Sequence, residues 1–285
     1  MTKNYLLLPH IVVHNANALS SGLTIGTPAL TAFLGFVHAI ERKISDKWSG
    51  QFSKVGICIH KIKLQTYRGE KDDVSSIIGT ANPLDQTGKR PSFVEEARCN
   101  IDVSLVLQTT DYLPEKLPEY IQQTIYTMKL AGGDIEKIND VKEIYDSEQH
   151  SLISHLKREL MPGFWLIDRS DLIEQKMNDG TESLQALLDC LSLSVHIEKI
   201  NNRIYKSYSK QVGGWLVPIT VGFQGLTPCY SALNQRDLTV PHRFAEPVIT
   251  LGEFKMVHRV QSINEILWGY RYVPEANLYL CSIEN

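Results

Sequence analysis

The sequence contains no pair of cysteines close enough to form a staple or a metal clip. Cys58, Cys99, Cys190, Cys229 and Cys281 are scattered, with no C-x-x-C and no Cys/His cluster at zinc spacing. An odd, dispersed set argues against a disulfide framework and reads as reduced, mostly buried thiols. No apolar run approaches membrane-spanning length, so no transmembrane helix is expected. The opening residues, MTKNYLLLPH, offer one Lys and a short apolar run without a small-residue cleavage site. No signal peptide is expected, and the chain should be cytoplasmic. The motifs G-x-G-x-x-G, G-K-[ST], G-x-S-x-G and H-E-x-x-H are all missing. Their absence leaves no signature of a dinucleotide, a P-loop nucleotide, a serine hydrolase or a zinc peptidase, and no cofactor is expected. There is no internal repeat and no low-complexity tract.

Net charge is also nearly absent, at −3. Taken alone this argues against a nucleic-acid binder, which usually shows a basic footprint. The charges are segregated, however. Residues 41–71 carry eight Lys/Arg against three acids, and residues 199–271 carry nine against four. Residues 111–198 carry eight against seventeen. Two basic stretches flank an acidic middle, and a local patch can bind phosphate while the total stays negative.

With 285 residues and a 43% apolar fraction, the chain can bury a substantial core. Residues 5–14 read as a strand, with Pro9 marking an edge or a bulge. Thr27-Pro28 reads as a helix start, Thr as N-cap and Pro at the first helical position. Leu30, Phe33, Leu34, Val37 and Ile44 mark the inner face of that helix. Residues 55–66 and 99–108 alternate as half-buried strands. Between them, 67–98 is polar, with turn signals at Arg68-Gly69, Asn82-Pro83 and Thr87-Gly88, and reads as a long, hairpin-like excursion. Pro118 opens a second helix expected to run to Ala131 and stop at Gly132-Gly133. The order fits a ferredoxin-like βαββαβ unit better than a doubly wound repeat. Residues 140–200 read as mainly helical. From 203 to 285 the pattern returns to strand and turn, with a short capped helix over Ser262–Trp268.

The segment HNANALSSGLTIGTPALTAFLG, residues 14–35, places an uncharged, hydrogen-bonding loop between a strand and a helix. Backbone N–H groups and short polar side chains near a helix start suit an anion or a phosphodiester. The alternative is that Asn15, Asn17, Ser20 and Ser21 satisfy only their own turn. His10, His14, His38 and His60 are candidate bases, though His38 inside an apolar helix reads as a packed core residue. Glu95-Glu96 and Asp72-Asp73 read as solvated surface. RIYKSYSK (203–210), His242-Arg243-Phe244 and His258-Arg259 combine cations with rings, as phosphate and base contacts require; a solvated turn is the rival reading of the first. At Lys129-Leu130-Ala131-Gly132-Gly133 the glycines permit close approach to a ligand or simply cap a helix.

The block LLLPHIVVHNANALSSGLTIGTPALTAFLGFVHAIERK (6–43) is similar to the opening block of one family. Collinear matches follow in NPLDQTG and VEEAR (82–98), MKLAGGDI (128–135), LMPGFWLIDR (160–169), GGWLVPITVGFQGLTP (213–228), RFAEPVITLGE (243–253) and HRV with ILW (258–268). The chain thus resembles the handle-binding subunits of the type I-F CRISPR surveillance complex, the Csy complex, over nearly its whole length. Gly22 and Ile25 stand where that family's block often has Pro and an aromatic. The resemblance implies an α+β fold, a single RAMP-type domain over 1–285 with an RRM-like, ferredoxin-like core. The excursion at about 67–98 would be its thumb, and about 140–200 a mainly helical insertion that meets protein partners. It implies a non-catalytic subunit that grips the 5′ handle of crRNA, pairs with the large subunit and abuts the adjacent backbone subunit. Target DNA near its PAM end is a further candidate partner. A metal-independent repeat endoribonuclease of the same fold is the alternative. The residues and the resemblance together give a candidate RNA-binding set: His14, Asn15, Asn17, Ser20, Ser21, Thr24, Arg68, Lys89, Arg90, Arg98, Lys129, Gly132, Gly133, His242, Arg243, His258 and Arg259. Of these, Arg98, Lys129, Arg243 and Arg259 are expected on phosphates. No catalytic residue and no metal ligand is expected.

Overall fold

In the computed structural model, which describes residues 3–79, 83–90, 96–145, 149–200, 203–233, 235 and 237–283, Tyr5-Leu6-Leu7-Leu8 lies inside strand β1 (Asn4–Asn17). All four of these consecutive side chains are buried, because both faces of this half-strand are covered. β1 is not an edge: Pro9 falls at a bulge, where the register against the neighbouring strand shifts between Leu8 and Ile11. A small hairpin of β2 (Leu19–Ser21) and β3 (Thr24–Ile25) follows, then α1 (Leu30–Lys43). The helix starts two residues later than Thr27-Pro28 suggests. Gly26 N–H donates to Ala18 O, which holds the chain in the loop past Thr27, and Ala29 at the N-cap offers no side-chain cap. The inner face is as expected. His38, however, is exposed, because Thr31, Gly35, His38 and Arg42 form the outward stripe at helical spacing.

Then come β4 (Lys54–Leu64), the two-residue strands β5 (Thr66–Tyr67) and β6 (Ser76–Ile77), and β7 (Arg98–Thr109). β5 and β6 pair with each other, giving the excursion its hairpin base. Residues 80–82 and 91–95 of the excursion, Asn82 and Glu95 among them, lie outside the described residues. The second helix, α2 (Leu117–Ile125), is shorter than the expected run to Ala131. Thr124 and Thr127 turn their hydroxyls onto the carbonyls of Tyr120 and Thr124, and β-branched Ile125 adds to the weakness of that turn. The Gly132-Gly133 stop is instead a β-hairpin of β8 (Lys129–Leu130) and β9 (Gly133–Lys137).

The acidic stretch 140–200 holds three helices, α3 (Gln149–Leu160), α4 (Ser170–Asn178) and α5 (Ser183–Leu191). It also contains β10 (Lys142–Tyr145), β11 (Phe164–Asp168) and β12 (Leu193–Ile200). The last part comprises β13 (Arg203–Lys210), β14 (Leu216–Gly225), β15 (Ala245–Met256), β16 (Leu267–Val273) and β17 (Leu278–Ser282). The helix expected at 262–268 is a single 3-10 turn, Ile263–Glu265, closed by a capping box between Ser262 and Glu265, after which the chain enters β16.

Every strand pair of the large sheet among the described residues is antiparallel: β9, β1, β7 and β4 lie side by side, with α1 and α2 at the two crossovers. Beyond β4 the sheet closes on itself. β4 pairs with β16 at Val55 and Gly56 and with β11 at Cys58 and Ile59, and β11, β15, β14, β17 and β16 complete the ring. Trp268 is fully buried where β16 and β11 converge, its indole N–H donating to Leu166 O at 2.9 Å. One core lies under α1 and α2, a second under α3, and a third, smaller one joins α4 and α5 to β14 and β15. Four of the five cysteines are buried and all five are free, Cys229 being exposed. No helix among the described residues is long and apolar enough to cross a membrane.

Candidate nucleic-acid interface

The loop after β1 is built by satisfying its own polar groups. Asn15 adopts a left-handed conformation, φ 59°, which Asn tolerates, and its N–H donates to Asn100 Oδ1 at 3.0 Å. Asn17 closes an Asx turn: Leu19 N–H donates to its Oδ1 at 3.1 Å, and its Nδ2 donates to Leu19 O at 3.1 Å. Its backbone N–H donates to Ala131 O and that of Ala18 to Ala97 O, tying the loop to two other segments. Ser20 and Ser21 both meet the Thr24 hydroxyl, at 2.8 and 2.7 Å, and Thr220 joins them from β14. Ser21 and Thr24 are buried in this hydroxyl cluster and hold the hairpin on the sheet. Asn17 is exposed and Ser20 half-buried.

The turn of the β8–β9 hairpin completes the wall. Ala131 at φ 50° and Gly132 at φ 76° are both left-handed, the pair of angles a two-residue hairpin loop of the primed kind needs. Gly133 lies so close to β1 that a Cβ there would meet His14 O at 2.6 Å and Ala16 N at 2.7 Å. The close approach that its sequence allows is thus made to the protein's own backbone.

Between these segments lies a groove of about 650 Å³, lined by Asn17, Leu19 and Ser20, by Pro28, Ala29, Thr31 and Ala32, by Glu96 and Arg98, and by Ala131 and Gly132. Four of the candidate residues, Asn17, Ser20, Arg98 and Gly132, come together here from three separated segments. The start of α1, which carries no side-chain cap, forms one side, so its first-turn N–H groups and the positive end of the helix dipole adjoin the groove. Arg98 is half-buried and pairs with Glu96 at 2.7 Å, which fixes its guanidinium at the groove and contradicts the reading of Glu96 as plain solvated surface. His14 and Lys129 flank it: His14 stands opposite Asp134 across β1 and β9, and Lys129 Nζ pairs with Asp134 at 2.6 Å. That ammonium holds the Asp134 carboxyl below its ordinary range.

The other candidates are elsewhere. Arg68, Lys89 and Arg90 are exposed on the excursion, where Asp85 ties the turn by accepting from Thr87 and Lys89 N–H groups. Arg68 donates to Asp72 O. His242 and Arg243 sit before β15, where Tyr230, His242 and Phe244 form a ring cluster with centroids 5.1–6.5 Å apart. Arg243 donates to Asn277 Oδ1 at 3.0 Å, while its Nε and His242 Nδ1 are buried without a partner. Phe244 is 58% exposed, leaving a ring free to stack beside a cation. His258 and Arg259 are exposed in the 3-10 turn Val257–Arg259, which packs against α3. His10 and His60 stack on each other on the sheet and do not line the groove; burial pulls the His60 imidazole below its ordinary pKa.

Sequence reasoning did not find Glu96, Thr31 or the start of α1 at Ala29 as groove residues, nor Thr220 as the anchor of the loop. The only local signal at Thr31 and Thr220 was a short polar side chain, and Ala29 offered none. Tyr230 joins the cation–ring segment His242-Arg243-Phe244 only through the fold, having no cation beside it in sequence.

Comparison with known proteins gives two findings. The family model described as CRISPR-associated protein (Cas_Csy2) matches residues 6–281. The chain is also 31% identical over 307 aligned positions, covering 96% of this chain and 93% of its relative, to the CRISPR-associated protein Csy2 of Pseudomonas aeruginosa (strain UCBPP-PA14).

Proposed function

Because the chain belongs to the Csy2 family of CRISPR-associated proteins, we propose that it is a non-catalytic subunit of a type I-F Csy surveillance complex and grips the 5′ handle of crRNA. The observation that carries this reading is the groove, which brings Asn17, Ser20, Arg98 and Gly132 to the uncapped start of α1. Uncharged amides and hydroxyls recognise base edges and the 2′-OH of a single strand, and Arg98 and the helix start hold phosphate. Arg243 with Phe244 and Tyr230 provides a second contact, a cation beside exposed rings. The strand order β9, β1, β7, β4 with helices at both crossovers supports an RRM-like, RAMP-type core. The excursion, which exposes Tyr67, Val74, Ile78 and Leu84, serves as the thumb over the guide. The large subunit and the adjacent backbone subunit cover the protein's remaining apolar surface, with target DNA passing near the PAM end.

The test is co-expression of the tagged chain with its genomic neighbours and sequencing of the RNA that co-purifies. Guides sharing one 5′ end are expected. Arg98→Ala and Arg243→Ala should each weaken handle binding and lower its salt slope by about one unit. A complex that assembles without RNA would sink the handle-binding reading. Cleavage of labelled repeat RNA that disappears in His14→Ala would replace it with the endoribonuclease alternative.

A further inference from the structure

Two of the three central strands of the sheet carry a bulge at the same level. On β1, Leu8 pairs with Leu105 and Ile11 with Val103, so Pro9 and His10 together face Ser104. On β4, Ile59 pairs with Val103 and Lys61 with Asp102, so His60 is the inserted residue. β7 runs between them. Bulges re-aim side chains, and these two bring one histidine from each side onto the same face of β7. His10 takes a left-handed backbone, φ 52°, to do so. Non-glycine residues rarely adopt that conformation, so the surrounding structure must hold it in place. The imidazoles stack at 4.0 Å between centroids, and Asp102 reaches His10 Nδ1 at 3.1 and 3.2 Å.

The hydrogen bonds fix which nitrogen of His60 is available. Pro162 O, a carbonyl, can only accept, so His60 Nδ1 carries the proton in their 2.8 Å bond. Nε2 then holds the lone pair, and the Ser104 hydroxyl donates to it at 2.8 Å. A histidine whose outer N–H is anchored on a backbone carbonyl while the other nitrogen faces inward is the arrangement that orients imidazole ligands of metals. Among the described residues, His10, His60 and Asp102 form a group of three whose ligand atoms lie within 4.8 Å of one another.

We propose that His10, His60 and Asp102 form a binding site for a borderline divalent ion of the Zn²⁺ class, bridging β1, β7 and β4 at their bulges. Two imidazoles and one carboxylate suit such an ion and leave a fourth position for water. Tetrahedral ligands at about 2.0 Å from the ion stand about 3.3 Å apart, so closure needs only small rotations of exposed-side rings and a rotation of the Ser104 hydroxyl away from Nε2. His10 and Asp102 side chains are 33% and 27% accessible, so an ion has a path in. The site is separate from the groove and does not depend on the handle-binding reading.

The test is titration of the purified full chain, or of its co-purified complex, with Co²⁺ under an absorption readout, followed by displacement with Zn²⁺. One saturable equivalent is expected, with a d–d band of a four- or five-coordinate ion that Zn²⁺ bleaches. Asp102→Asn and His60→Gln should each weaken binding at least about tenfold, whereas His38→Gln and His196→Gln, at exposed histidines elsewhere, should not. His10→Gln, at a partly exposed position, gives the same reading should the two inner variants misfold. The absence of a saturable site, or binding that survives His10→Gln and Asp102→Asn together, overturns the proposal.

Discussion

At the residue scale, single atoms decide what the groove wall tolerates. A methyl group at Gly133 would enter the backbone of β1 at His14 and Ala16. Gly133→Ala should cost about 1–3 kcal/mol of unfolding free energy in a urea titration, because neither backbone can withdraw without breaking the ladder. A cost below the error of that titration would show that the hairpin is free to lift. Asp168 makes a different kind of prediction. Burial raises its pKa above the ordinary 3.8, against the pull of the Ser170 N–H and hydroxyl. A carboxyl with a raised folded pKa binds its proton more tightly in the native state. Its contribution therefore favours the fold at low pH and is lost as pH climbs from 3.8 through the raised value. Asp168→Asn keeps an acceptor for Ser170 N–H and removes the titration. The stability of wild type minus that of the variant should fall across this window; a difference that grows with pH would contradict the burial argument.

At the element scale, the hairpin of β12 and β13 makes its backbone pairs only with itself, and every residue of β13 is exposed. Its ends, Leu193 and Lys210, face each other across the last pair. Replacing 193–210 with a short Gly-Ser link should therefore leave the melting temperature within about 2 °C, since surface changes away from the core stay within about 0.5 kcal/mol. A larger loss would mean that the hairpin supports the fold. Elements with a clear period were legible beforehand: β1, α1, β4 and β7 follow from where the apolar side chains recur. The end of α2 was not, because TIYTMKLAGG keeps a helical spacing of apolar residues while its threonine hydroxyls turn back onto the preceding carbonyls. FWLID, five residues between two helical segments, was too short to announce β11. RIYKSYSK, for which a solvated turn was the rival reading, is a strand of a two-stranded ribbon with no layer against it, and Tyr205 and Tyr208 are exposed. The groove was legible only in part. Asn17 and Ser20 were suspected from chemistry, but no spacing says that they meet Arg98 and Gly132, which are brought in by strand pairing.

At the scale of the whole molecule, β4 belongs both to the four-strand part with α1 and α2 and to the closed ring. Neither part has a strand boundary along which to separate. Urea unfolding followed by near-UV and far-UV circular dichroism should give one coincident transition; two separated midpoints would show that the ring and the four-strand part fold independently. Ring closure also determines which strand edges face other chains. With β4 paired to β7 on one side and to β16 and β11 on the other, the strands at the far end of the large sheet are β8, of two residues, and β10, of four. Among the described residues the β12–β13 ribbon pairs only with itself, so both of its outer edges are open along their whole length, and it carries Lys199, Arg203, Lys206 and Lys210. On that ribbon the cations repel a second copy and oppose backbone-to-backbone polymerisation. An edge that repels its own kind lets copies of this protein be crowded together without that ribbon seeding a fibre.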